Sequence, residues 1–419
     1  MKIGFAKREI TPPVGTELGG YAGYRPCGGV HDPLWCKAVV LEQNGKRYAL
    51  VVMDMLSVDE SFVHAAARSL EPLRISGERL VLSAIHSHAS VCGMIPGEGP
   101  LGEINRVGQA DPEGFAAYMQ MALDAVVRAC REALEGIEPF RVRAARGALP
   151  VIGTERHTGE SAQGELTAVQ CLLESGRSVI LWQIPCHPTV LGPDNLLASA
   201  DFLGGVEARL EADMAVFLGG AAGDISTRFT RREPTFRECD RFAGIAAGAV
   251  AELLEGTSYE QPKPLRGSRM NICLPARRVR TSEQCREALS QAESRWQEAR
   301  DALEDPKQLR ILRSYVEGAG VELELSALLA GIDSFALPVA AFTFGGLVFA
   351  TVPGELFSGL RPENAIPVCY AGGYYRYIAP KAAYDRGDYE AMASILERGA
   401  GEVFYEELTR LAAGMIQKG

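Results

Sequence analysis

The sequence predicts a layered α/β fold, and three observations carry that prediction. Short apolar, β-branched runs alternate with amphipathic segments along the chain. The 419 residues are 47% hydrophobic and 23% charged, enough to bury at least one large core, which excludes the disordered and fibrous classes. Histidines and carboxylates cluster just behind the apolar runs, where the loops of α/β proteins converge on ligands.

Taken in order, the candidate strands are residues 38–41, 48–53, 80–85, 179–184, 215–218, 347–352 and 366–370. Asp111 followed by Pro112 reads as an N-cap and first helical residue, opening an amphipathic helix over 113–134. Further helices are expected at 202–212 and 241–254. Beyond residue 255 comes a Pro-containing connector, YEQPKPLRG, and then a charged stretch over 281–303. There Thr281 with Gln284 forms a capping-box pattern, so a solvated helical hairpin is expected as an insertion within about 256–335.

Bulk charge and the thiols narrow the function classes. Forty-three basic against fifty-three acidic side chains give a net charge of −10, with no basic run, so a nucleic-acid partner is not expected. The opening MKIGFAKREITPP has charges and prolines where a secretory signal needs an apolar stretch, and no run approaches a membrane span; the expectation is a cytoplasmic protein. The ten cysteines contain no C-x-x-C pair, so any metal must be held by histidine and oxygen.

There are only six histidines, and His86-Ser87-His88 follows the run 80–85 directly, while His187 follows 179–184 in the same way. On this reading two strands deliver imidazoles to one edge of a sheet. The segment GGAAGDIS (219–226) follows 215–218, Glu355 in TVPGE follows 347–352, and Asp54 ends 48–53. Two histidines, a carboxylate and one open position are the arrangement by which zinc lowers the pKa of bound water to ~7 and polarises a carbonyl. Singly, each residue also fits a plainer role, a hydrogen-bonded strand end or a tight turn. Strict alternation would place the His86 and His88 rings on the same side of a regular strand, and only a local turn would separate their roles.

As a set, in order, these segments resemble the catalytic domain of the neutral, non-lysosomal ceramidase family. GFAKREITPP, GGYAG and GVHDPL are similar to that family's opening motifs, SAIHSHAS to its T-H-T-H-S, and PCHPTVL to its V-H-P-T block. ASADFLGG, GGAAGDIST, TVPGE and YYRYIAP continue the series, covering most of residues 1–255 and 340–390. The resemblance implies one domain over residues 1–419, with packed mixed β-sheets flanked by helices. It implies zinc held by His86, His187, Glu355 and Tyr377, although tyrosine is an unusual zinc ligand. It casts His88 as donor to a developing oxyanion or as proton shuttle, Arg156 as the group that orients the substrate, and Tyr374 as a substrate contact. Ser226 matches a serine that is either a nucleophile or part of the wall beside a metal-activated water. The water is preferred, since it makes a covalent serine step unnecessary, and Asp224 is then a supporting residue.

The departures fall in the pocket. ASVCG replaces S-G-P-G-G, Glu155 replaces the asparagine before the arginine, Ser226-Thr227-Arg228 replaces S-P-N, and Gly372 replaces the asparagine of the last motif. The resemblance ends roughly where the catalytic domain would, so the immunoglobulin-like C-terminal domain of ceramidases is not expected. The expected activity is therefore zinc-dependent hydrolysis of an amide bond in a small N-acyl compound other than ceramide. Competing readings are an esterase built on the same site and a non-catalytic metal-binding descendant.

Overall fold

The structure, a computed structural model, describes residues 1–95, 100–105, 110–162, 164–302 and 305–416. Twelve longer strands carry the fold. They are β1 (Lys2–Glu9), β2 (Trp35–Gln43), β3 (Lys46–Met53), β4 (Leu80–Ala84), β5 (Glu138–Gly147), β6 (Leu166–Leu173), β7 (Ser178–Gln183), β8 (Met214–Phe217), β9 (Gly267–Pro275), β10 (Ser334–Phe344), β11 (Leu347–Thr351) and β12 (Ile366–Val368). The first eight form one mixed sheet in the order β8-β7-β6-β5-β1-β2-β3-β4, and the last four a smaller sheet in chain order. In the large sheet the pairs β3/β4 and β7/β8 are parallel and the rest antiparallel.

Pleat alternation sends the two faces of the large sheet to different partners. On one face lie helix α1 (Glu60–Leu70), helix α2 (Pro112–Glu135), short helix α3 (Phe202–Glu207) and helix α4 (Phe236–Glu255). Asp111 caps α2 by accepting the Gly114 N–H, and Phe115, Met119, Ala122, Val126, Ala129 and Ala133 form its buried stripe against β1 and β2. On the other face packs the smaller sheet, where Phe140 of β5 meets Phe344 of β10 at 6.5 Å between ring centroids. A C-terminal helix lies on the outside of that smaller sheet, giving four layers. The helical insertion expected at about 256–335 is shorter, because residues 267–275 form β9 and pair with β10; between those strands, helices Ser282–Asp301 and Pro306–Leu328 pack on each other, the first opened by the Thr281–Gln284 capping box. Residues 303 and 304, inside the expected hairpin, lie outside the described residues.

Two further expectations need correcting. The helix expected over 202–212 ends at Glu207: Gly204 and Gly205 weaken it, and Asp213 turns back to accept the Ser178 N–H at 2.7 Å. The helix expected from 241 begins at Phe236, because Thr235 caps it on the Glu238 N–H.

A last correction concerns the placement of the histidines. β4 and β7 do not share an edge: β4 is one edge of the large sheet, and β7 is next to the other. They also run in opposite directions through the ladder. A twist of about 20–25° per strand accumulates over the six steps between them to about 120–150°, enough to bring both carboxyl ends to one region. The segment after β12 then joins the two edges. Cys369 N–H binds Gly219 O behind β8, while Tyr370 O accepts from Ala84 and Gly372 N–H binds Leu82 O on β4.

Candidate metal centre

β4 stops at Ala84, and the chain turns so that the Ile85 and His86 N–H groups bond Met53 O and Met55 O. His86 takes φ +66°, a left-handed conformation uncommon for a side chain of this size. This is the local turn that separates the two rings. His86 and His88 stand at 84°, 5.1 Å apart between centroids, with His187 at 4.9 Å from His86 and 6.1 Å from His88. Tyr370 stacks on His86 at 4.1 Å, and Tyr21 meets His88 edge-on at 4.7 Å. The loop carrying Tyr21 closes this tightly because residue 20 is glycine: with φ +91°, a Cβ there would lie 2.5 Å from the His88 ring.

The hydrogen bonds of the rings fix their tautomers. His86 Nδ1 lies 2.8 Å from Leu56 O, and His187 Nδ1 lies 3.0 Å from Ile225 O. A carbonyl oxygen only accepts, so both Nδ1 atoms carry the proton and both Nε2 atoms, in the neutral rings, present lone pairs. Those lone pairs face one oxygen, Glu355 Oε2, at 3.4 Å from His86 and 2.8 Å from His187. Burial first, then Arg156, pushes His187 down to about 4, so it is neutral at pH 7 and cannot donate at both nitrogens. Two lone pairs and a carboxylate aimed at each other repel unless a cation stands among them. The donor set, nitrogen and carboxylate oxygen, suits a divalent ion such as zinc.

His88 faces the same space, and the ligand atoms of His86, His88 and His187 lie within 4.8 Å of one another, a cluster that can hold a metal ion. Both ring nitrogens of His88 are closed to solvent and without a partner among the described residues. Burial, followed by the neighbouring histidines, lowers its pKa well below the ordinary value, so the ring is neutral. An unpartnered polar group of this kind costs stability unless something binds it.

The two C-terminal candidates arrive together. Glu355 and Tyr377 are register partners in a short parallel ladder, Glu355–Leu356 against Tyr377–Ile378. Tyr374 donates to Glu355 Oε1 at 2.6 Å, leaving Oε2 to the histidines, so its first contact is the carboxylate. The Tyr377 hydroxyl lies 3.4 Å from Arg156 Nη1. Burial and Glu355 raise its pKa well above that of a free phenol, with Arg156 opposing them. Arg156 is held from behind by Glu390 at 3.0 Å, whose other oxygen takes His157 Nε2 at 3.0 Å.

Ser226 is buried on the wall, where its hydroxyl accepts the Arg228 N–H at 3.4 Å and makes no hydrogen bond to the three histidines. Asp224 accepts from the N–H and the hydroxyl of Ser358, at 2.7 and 2.8 Å, and so locks the 219–226 loop to the Glu355 segment. Asp54 is taken by Lys37 at 2.8 Å and stays out of the cluster. The sequence reading missed Tyr370, Tyr21 and Glu390. Tyr370 closes the run 366–370 and could have been counted as a strand-end residue, whereas nothing local marks Glu390.

Compared with solved structures, the chain matches neutral ceramidase from Pseudomonas aeruginosa over 100% of its length and 74% of that chain, with a TM-score of 0.74 and 15% identity. It also matches a ceramidase complexed with C2 over 100% of its length and 75% of that chain, with a TM-score of 0.72 and 15% identity. The chain therefore has the fold of neutral ceramidase. No family model and no curated protein matches the sequence.

Proposed function

We propose that the protein is a zinc-dependent hydrolase of amide (N-acyl) bonds, a divergent relative of the neutral ceramidases that acts on a small cytoplasmic compound. The observation that carries this reading is the pair of tautomer-fixed imidazoles whose free nitrogens converge on Glu355 Oε2 beside an unpartnered His88. His86, His187 and Glu355 would hold the ion, with Tyr377, the register neighbour of Glu355, completing the set. Zinc bound there supplies an acidified water and polarises the scissile carbonyl.

The remaining steps fall to the side chains. His88, neutral and with both nitrogens free, donates to the oxygen that gains charge as the carbonyl becomes tetrahedral, or passes a proton toward the leaving amine. Tyr374 pins Glu355 through Oε1 and so fixes the direction of Oε2. Arg156, anchored by Glu390, holds the Tyr377 hydroxyl and orients the polar part of the substrate. Water as the nucleophile is favoured over Ser226, whose hydroxyl lacks the histidine partner that would activate it. The ten cysteines are all free thiols, nine of them buried, which suits a reducing compartment.

The test is zinc content and turnover of one acyl group presented as amide and as ester. Stoichiometric zinc with chelator-sensitive amide cleavage is expected. A protein that binds no metal, or that binds it and cleaves neither compound, would overturn the proposal, and cleavage of the ester alone would reassign it as an esterase.

A further inference from the structure

Three arginines, Arg25, Arg228 and Arg231, lie on the segments around the imidazole cluster and form no ion pair among the described residues. Arg228 is half-buried, donates through Nη1 to Arg156 O at 3.2 Å, and has no carboxylate within 4 Å among the described residues. Its backbone N–H lies on Ser226, and that segment pairs with Thr154–Glu155, directly before Arg156. The guanidinium is thus one residue behind the group that touches Tyr377. Arg231 lies further along the same loop and donates to the carbonyls of Thr189 and Val190, beside His187, again without an acid. Arg25 donates to His88 O and to three other carbonyls in the same manner.

The nearby acids are already engaged. Glu355 is held by the histidines and Tyr374, Glu390 by Arg156 and His157, and Asp201 by the N–H groups of Val190, Leu191 and Phe202. Burial first, then Arg156 and Arg310, outweigh the more distant Glu390 and Glu317 and push Arg228 down to about 10. A half-buried guanidinium is a planar fork suited to a carboxylate. The resemblance to ceramidases breaks at this same place, where Thr227-Arg228 stands for proline-asparagine.

We infer that the substrate is an N-acyl amino acid, and that Arg228 receives the carboxylate next to the scissile amide. This rests on the amide-hydrolase reading above and gives it a substrate class: the amide C–N bond breaks, water adds its hydroxyl to the acyl carbon and a proton goes to the nitrogen, releasing a fatty acid and an amino acid.

The experiment compares N-octanoylglycine with N-octanoylglycinamide, which differ only in carboxylate against carboxamide, by calorimetric binding and by octanoate release from the zinc-loaded protein. A preference of about 10- to 100-fold for the carboxylate is expected, as for one charge-assisted contact. Arg228→Gln, which keeps a donor for Arg156 O, collapses that preference, and Arg228→Lys, which keeps the charge and loses the fork, reduces it. Equal handling of the two compounds by wild type, or a preference that survives in the variants, overturns the inference while amide cleavage still stands. A binding preference lost in Arg228→Gln with no octanoate released from either compound would instead keep the anion site and sink the hydrolase reading. Should Arg228→Gln fail to fold, Arg228→Lys carries the same comparison.

Discussion

Two buried polar clusters sit at strand ends of the large sheet, and they are built to opposite rules. At the start of β2 and the end of β3, Lys37 lies between Asp54 at 2.8 Å and Glu207 at 2.6 Å, and Asp54 also accepts the Trp35 N–H at 2.9 Å. There one ammonium is shared by two carboxylates, and Glu207 Oε1 has no partner among the described residues. Behind β4 and β7, three histidines and Glu355 meet with lone pairs facing a carboxylate, and His88 has no partner on either nitrogen. The first cluster holds its own side-chain cation between the acids; the second gathers imidazole lone pairs around a carboxylate with no side-chain cation between them among the described residues. Burial alone does not separate the two clusters, and the presence of an internal cation does.

Breaking the two clusters should therefore give opposite patterns. The largest effect is expected at the ligands: His86→Ala and Glu355→Ala lose stoichiometric zinc, measured by elemental analysis, and more than about 10³-fold of turnover, several kcal/mol of barrier. Zinc retained in both variants would refute the ligand assignment. Next comes Lys37→Met, which strands two buried carboxylates and should lower unfolding stability by about 3–5 kcal/mol in denaturant titration, with the zinc content of the folded fraction unchanged.

His88→Asn sharpens the contrast. Turnover should fall about 10²–10³-fold with zinc retained, the cost of removing one donor to an oxyanion. Stability should fall less than in Lys37→Met, since no bond of the His88 ring is lost. A variant that unfolds as readily as Lys37→Met would make His88 a structural residue.

The smallest effect concerns Asp201, which borders the site through the N–H groups of Val190 and Leu191. Burial, against those hydrogen bonds, pushes its carboxyl up to about 6. Between about pH 4 and that value the folded chain holds a proton that the unfolded chain has released, so this contribution is full below about pH 4 and is lost as pH rises through the folded value. The decline should be about 3 kcal/mol across the window, followed by thermal unfolding, and Asp201→Asn should flatten it.

Much of the frame was legible because it is written in local chemistry. Asp111-Pro112 and Thr281–Gln284 announce helix starts through their own side chains, and the apolar runs behind which His86 and His187 sit are strands. β1 and β5 were missed because the charged run Lys7-Arg8-Glu9 fills the end of one, while Arg141 and Arg143 alternate with apolar residues in the other and dilute the β-branched signal. The shortened helix ending at Glu207 shows the same limit, since its stop depends on Asp213 reaching Ser178 on another strand.

The sequence by itself determined the α/β class, several strands with their trailing histidines, and the absence of cysteine pairs that could bind metal. Only the tertiary structure decided that β4 and β7 lie on opposite sides of the large sheet, that twist and the 369–372 bridge bring their ends together, and that Tyr374 holds Glu355 while Glu390 holds Arg156. The physical reason is range: caps and periodicity act over a few residues along the chain, whereas the tautomer of His86 is set by Leu56 O and that of His187 by Ile225 O, partners that only folding brings near.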